Sequence, residues 1–335
     1  MKVKFAPLHI LVVEDLQPMR ELIREVLRAM GVGDIIAARD GEDAYHKYMT
    51  YSPDIIISDW DMPVCDGLEL VKKIRCSKDS PNRQIPIVMM SGYTSPQKIS
   101  EARDCGVTEF MAKPFSSGDI AKKILHIVNR PREFVIAPGF VGPSRRRRVS
   151  EDEGTEQKRG TDSTAQIIEP DKSLQAKAGT GKLDEEIIAR GQSVIDNNKV
   201  DFLPLAREYS NELNRAIILA DQDETKSKLS IDNLIFPIMQ LKANGLVFKY
   251  DLISELSAII MDFVENLQEL DDYAIQIIRA YHTTLTHIIN QEIEGSGGEN
   301  GDHLFEELGG ACNRYYAIRT VLQNKKFREH IGVNA

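Results

Sequence analysis

Through residue 130, short apolar runs alternate with segments whose apolar positions recur every three or four residues. The runs predict strands over 9–13, 34–38, 54–58, 85–90 and 108–111. Between them the helical period predicts helices over 19–30, 41–51, 67–76, 97–105 and 117–129. Pro18 sits just inside the first helix start and Gly31 just past its end, the asymmetry that helix termini favour. Asp40 and Ser116 are suited to capping helix starts. Five βα repeats at this spacing imply a parallel sheet with helices on both faces.

From residue 131 the pattern lapses. The stretch to about residue 180 mixes Pro, Gly and Ser with charge runs, Arg145 to Arg148 among them, and reads as a flexible linker. Phe134, Val135, Ile136, Phe140 and Val141 within it are too apolar to leave in solvent and predict some local packing. Beyond it the period is helical throughout, with helices predicted over 184–197, 203–220, 226–243, 250–270, 272–294 and 304–326. In the fourth, Leu256, Ile259, Ile260, Phe263, Val264 and Leu267 form one apolar face. The organisation expected is a domain over 7–130, a linker over 131–180 and an all-α bundle over 181–330.

Composition adds little: 42% hydrophobic and 28% charged residues are ordinary for a globular chain. No apolar stretch is long enough for a membrane span. Lys2 and Lys4 before an apolar run resemble a signal peptide, but His9 interrupts that run and Glu14 and Asp15 end it, so it reads as a strand. Cys65, Cys76, Cys105 and Cys312 form no C-x-x-C pair and suggest neither zinc nor disulfides. A cytoplasmic location is expected.

Charge is unevenly distributed. Residues 1–130 hold 18 basic and 18 acidic groups, whereas residues 181–335 hold 15 and 25. An acidic domain repels phosphate backbones, which weighs against a nucleic-acid output.

An open parallel sheet binds ligands beyond the carboxyl ends of its strands. There the predicted strands place Glu14 and Asp15, Asp59, Ser91 and Lys113, which precedes Pro114. Three such carboxylates raise one another's proton affinity unless a cation intervenes. A hard divalent ion such as Mg2+ suits them. The set fits phosphoryl transfer, with Asp59, at the end of a central strand, as nucleophile. Glu14 and Asp15 would hold the metal with the backbone carbonyl of Asp61. Lys113 and the Ser91 hydroxyl would stabilise the transferring oxygens. Singly each residue reads as a cap, turn, core or surface position; together on one rim they do not.

Glu14-Asp15, Asp59 with its W-D-M-P context, the D-G pair at 66 and 67, Ser91 in MMSGY and Lys113 in KPF together resemble a response-regulator receiver domain over residues 7–130. The resemblance implies strand order 2-1-3-4-5, Mg2+ at Glu14, Asp15 and Asp59, and a cis bond before Pro114. It also implies phosphorylation of Asp59 by a histidine kinase or phosphotransfer protein. Ser91 stands where many members carry Thr. Phe110 stands at the aromatic switch position, without the hydroxyl of the Tyr often found there.

The second half offers less chemistry. The Arg run is followed by EDE at 151–153 and reads as a solvated tether. His282 and His287 are five residues apart, which misses the four-residue step of a helical metal pair. His282 is followed by Thr-Thr-Leu-Thr, not by the Lys-Gly pair typical of phosphotransfer domains, so both histidines read as structural or surface residues. The glycine-rich 295–301 segment reads as an interhelical loop. The expectation is a response regulator that is no enzyme beyond accepting and losing its own phosphoryl group. Its helical domain would bind a downstream protein or form a homodimer. The alternative is a transcriptional regulator with an unrecognised helical nucleic-acid-binding domain.

Overall fold

The computed structural model describes residues 2–93, 95–145, 165–222, 228–267 and 269–330. The chain divides into two compact units, Met1–Asn198 and Lys199–Ala335.

In the first unit, five βα repeats run β1 (His9–Val13), α1 (Gln17–Ala29), β2 (Asp34–Ala38), α2 (Gly41–Tyr51), β3 (Ile55–Asp59), α3 (Gly67–Cys76), β4 (Ile87–Ser91), α4 (Pro96–Cys105), β5 (Glu109–Ala112) and α5 (Ser117–Asn129). The strands form one parallel sheet in the order β2-β1-β3-β4-β5. Every residue of β3 and β4 is buried, which is why their sequences read as continuous apolar runs rather than alternating ones. One sheet face packs Leu11, Val13, Ile56, Ile87 and Met89 against Tyr48 of α2, Leu70 and Ile74 of α3 and Ala102 of α4. Asp40 and Ser116 cap their helices as expected, and Asp66 joins Glu69 in a capping box at the start of α3.

The expected flexible linker is replaced, in its described parts, by structure that belongs to the first unit. β6 (Phe134–Ala137), β7 (Phe140–Pro143) and β8 (Gln166–Ile168) form an antiparallel sheet in the order β7-β6-β8. Pro138 and Gly139, whose φ is +78°, make the tight turn between β6 and β7. The hairpin is fastened to the receiver fold by close backbone approach: a Cβ on Gly106 would lie 2.6 Å from the Val141 carbonyl oxygen. The fully buried Arg75 adds a second fastening. It donates to the carbonyls of Gly106 (3.0 Å) and Arg83 (2.7 Å) and lies over the Phe134 ring. Arg145 is no free tether, for it stacks on Phe140 at 3.9 Å and pairs with Asp104. Arg146 to Arg148 lie outside the described residues.

The boundary expected at residue 181 also moves. α6 (Ser173–Ala178) and α7 (Glu185–Asp196) follow β8 within the first unit. α7 packs on α1 and α5. Its Gly191 seats against Met30 and Ser117, where a Cβ would come within 3.0 Å of both. The Ser117 hydroxyl donates to the Ile188 carbonyl at 2.8 Å. The chain's first residues join the same edge, with the Val3 and Lys4 amides donating to the carbonyls of Lys182 and Ala178. The first unit therefore exceeds the expected 7–130 in both directions.

The second unit is helical in all its described elements: α8 (Leu203–Gln222), α9 (Lys228–Gly245), α10 (Asp251–Glu265), α11 (Asp272–Asn290) and α12 (Gly298–His330). α10 packs against α9, α11 and α12, and α8 against α9 and α11. Leu256, Ile260, Phe263 and Val264 of the predicted α10 face are buried, whereas Ile259 is half-buried and Leu267, also half-buried, lies beyond the helix end. α12 begins at Gly298, inside the segment expected to be a loop.

Candidate functional site

The sheet topology carries five predicted residues to one rim. Asp59 and Ser91 are the last residues of β3 and β4; Glu14 and Asp15 follow β1, and Lys113 follows β5. All except Asp15 are buried. The Lys113 ammonium stands 2.8 Å from Asp59 Oδ1 and 2.8 Å from Glu14 Oε2. Glu14, Asp15 and Asp59 each offer a carboxylate oxygen within 4.8 Å of the others.

One lysine is too little charge for this set. Burial, with Asp59 adding to it, pushes the Glu14 carboxyl up to about 8 and raises that of Asp15. Burial works to lower Lys113, but Asp59 and Glu14 outweigh it and hold the ammonium firmly charged. Glu14 Oε1 and Asp15 Oδ1 are buried without a hydrogen-bond partner. Three clustered carboxylates beside a single cation, two of them with an unpaired buried oxygen, suit a hard divalent ion.

Local sequence explains the precision of the rim. Gly67 of the D-G pair packs against the backbone of the nucleophile candidate, and a Cβ there would lie 2.3 Å from the Asp59 carbonyl oxygen. The Gly67 amide donates to Trp60 O at 2.8 Å, and the Trp60 amide to Met90 O at 3.0 Å, tying the loop after β3 to β4 and α3. The Lys113–Pro114 bond is cis, as the resemblance implies. The Ser91 hydroxyl accepts from the Tyr93 amide at 3.0 Å. Phe110 is half-buried and packs against the core on the α2, α3 and α4 face. The Asp61 side chain stands outside the close trio of carboxylates, although burial and Asp59 push it up to about 7.

Two contributors were not identified from sequence. Arg20 of α1 donates to the carbonyls of Glu14 (2.6 Å) and Asp15 (3.0 Å), fixing the acidic loop. A base one helical turn after an acid pair was the available signal. Trp60 and Tyr93 meet edge to face at 5.9 Å, with the Lys98 ammonium 5.3 Å from both rings. These two loops are distant in sequence, so no local pattern marks them. In the helical unit His282 is half-buried and its proton affinity is lowered by burial, while His287 is exposed near the end of α11. Neither joins a cluster of metal-ligating side chains among the described residues.

The family model described as the response regulator receiver domain matches residues 10–125. Chemotaxis protein CheY1 of Helicobacter pylori is 33% identical over 118 residues, covering 35% of this chain and 94% of its own length. Chemotaxis protein CheY-3 of Vibrio cholerae is 30% identical over 123 residues, covering 37% and 93%. A solved structure of Vibrio cholerae CheY4 shares 32% identity over 35% of this chain and 95% of that one, with a TM-score of 0.33. No helix is long and apolar enough to cross a membrane among the described residues. A 2-1-3-4-5 sheet ending in these side chains, and about a third identical to a chemotaxis receiver over nearly its full length, permits one conclusion: this chain belongs to the response regulator receiver family.

Proposed function

We propose that the protein is a two-component response regulator that accepts a phosphoryl group on Asp59 from a histidine kinase or phosphotransfer protein. It relays the event by protein–protein interaction through its helical unit. The observation that carries the reading is the placement of the buried Lys113 ammonium at 2.8 Å from both Asp59 and Glu14, beside two orphaned carboxylate oxygens. An Asp59 carboxylate oxygen attacks phosphorus as the bond to the donor imidazole nitrogen breaks, leaving an acyl phosphate on the chain. Lys113 follows the charge onto the phosphoryl oxygens, and the Ser91 hydroxyl donates to one of them. Glu14, Asp15, Asp59 and the Asp61 backbone carbonyl would hold Mg2+, which when bound supplies the remaining positive charge. Phosphorylation replaces the single negative charge of the Asp59 carboxylate with a phosphoryl group carrying about 1.5 to 2. These pull Ser91 and Phe110 into new contacts and shift an existing equilibrium that the rest of the chain reads. In this reading the chain's own chemistry ends at phosphoryl acceptance and autodephosphorylation.

The test is incubation with acetyl phosphate and Mg2+, read by intact mass. Wild type gains one phosphoryl group and Asp59→Asn gains none; equal uptake by the variant overturns the assignment.

A further inference from the structure

α11 and α12 leave between them a groove of about 1040 Å3, floored by Leu256 of α10 and Tyr281 of α11. We propose that this groove is the docking site for a cationic amphipathic helix of a partner protein. The inference rests on the reading of the helical unit as the output of the relay.

Its shape argues for a helix. α12 lines the groove with Leu304, Leu308, Ala311, Tyr315 and Ile318, which alternate steps of four and three residues. α11 lines it with Tyr273, Ile277, Ala280 and Thr284 on the same alternation. A repeat averaging 3.5 residues keeps a seam straight along one helix face, and such seams accept the knobs of a further helix. Among the described residues the seams are not consumed inside the unit: Tyr273 is 72% exposed and Ile318 61%, while Ile277, Leu304 and Leu308 are half-buried. From Leu304 to Ile318 the wall runs roughly 21 Å, about four helical turns. Ala280 and Ala311 make its middle shallow-walled, leaving room there for one bulky apolar side chain.

Charge selects the kind of helix. Asp271, Asp272 and Glu307 lie along the groove with Arg314, and Arg319 at one end is engaged by Glu269 and Asp271, so the acids around the groove outnumber the bases. Residues 199–335 carry 13 basic and 21 acidic residues, a net charge of −8 with histidines neutral. A second copy would bring the same sign to the contact and be repelled. A helix with apolar residues at seam positions and Lys or Arg beside them is drawn in.

The probe is a fluorescent 21-residue peptide with Leu at the seam positions and Lys elsewhere, titrated into the full chain at physiological salt. Its counterparts carry Glu in place of Lys, or the same residues in scrambled order. Expected are saturable binding of the Leu/Lys peptide, at least tenfold weaker binding of both counterparts, and at least tenfold weakening by Ala280→Trp and by Ile318→Ser. Both variants should keep wild-type circular dichroism, since Ala280 and Ile318 are exposed. Equal binding of the Glu or scrambled peptide, or undiminished binding by Ala280→Trp, overturns the proposal. So does a wild-type dimer in sedimentation that Ala280→Trp dissociates, because a second copy then fills the groove. Phosphoryl uptake measured on the same samples separates the two readings: no peptide binding with uptake intact removes the groove alone, whereas no uptake removes the relay.

Discussion

In the first unit the buried charges of Glu14, Asp59 and Lys113 converge on one sheet rim, where Glu14 Oε1 and Asp15 Oδ1 have no hydrogen-bond partner; in the helical unit it is apolar surface that goes unused. There the buried hydroxyls of Ser257 and Tyr281 meet at 2.7 Å, and Ser257 also donates to the Ile253 carbonyl. Ser254 likewise donates to the Lys242 carbonyl at 2.7 Å. Unsatisfied charge is expensive to bury and is kept where a small ionic ligand or a phosphoryl group will arrive. Unsatisfied apolar surface is cheaper and suits a large partner. On the proposed reading, the contrast separates chemistry in one unit from recognition in the other.

The sharpest way to break that division is at Lys113. Lys113→Met should slow phosphoryl uptake about 10²- to 10³-fold, the cost of losing one charge-stabilising donor in a desolvated site. Labelled acetyl phosphate measures it, and an unchanged rate would deny the rim its role. Next in size is the metal. Mg2+ at 100 times its dissociation constant should add about 2.7 kcal/mol to stability. Trp60, the chain's only tryptophan and 4% exposed at the rim, reports this unit's unfolding in urea. Asp15→Asn should remove the increment. An increment surviving Asp15→Asn would place the ion elsewhere.

A smaller effect tests the other side of the comparison. Ser257→Ala should destabilise the helical unit by about 1–3 kcal/mol, because it strands the buried Tyr281 hydroxyl. Tyr281→Phe removes the donor instead and leaves Ser257 bonded to Ile253, so it should cost about 1 kcal/mol or less. Thermal melts followed by circular dichroism compare them. Equal costs would mean that this hydroxyl pair is not the satisfied polar core described.

The rim was legible because its residues end strands whose apolar bodies are easy to see; parallel order then gathers Glu14, Asp59, Ser91 and Lys113 without further information. The hairpin of β6 and β7 was not, although Phe134 and Phe140 hinted at it. Its Pro, Gly and Arg content looks like a tether until Arg75 and Gly106 are seen holding it. The helix over 184–197 was legible, but not its owner, since a helical period does not say which core the face meets. Only the fit of Gly191 between Met30 and Ser117 answers that. The unpaired seams of α11 and α12 likewise look like ordinary core stripes in sequence, because exposure is a property of the packed unit.

The smallest effect lies in the loop joining Asp59 to its downstream cap. Val64 has φ +71° and is 84% exposed, a left-handed conformation that a β-branched residue adopts only under strain. Asn tolerates that region, and Val64 makes too little contact to be missed. Val64→Asn should therefore raise stability by about 1 kcal/mol, a shift of a few degrees in Tm. Phosphoryl uptake decides what the strain means. If stability rises and uptake is unchanged, the loop is merely tolerated beside the charged rim. If stability rises and uptake falls, the strain helps hold Asp59 in line for attack, and the first unit stores backbone energy as well as unpaired charge at the same place.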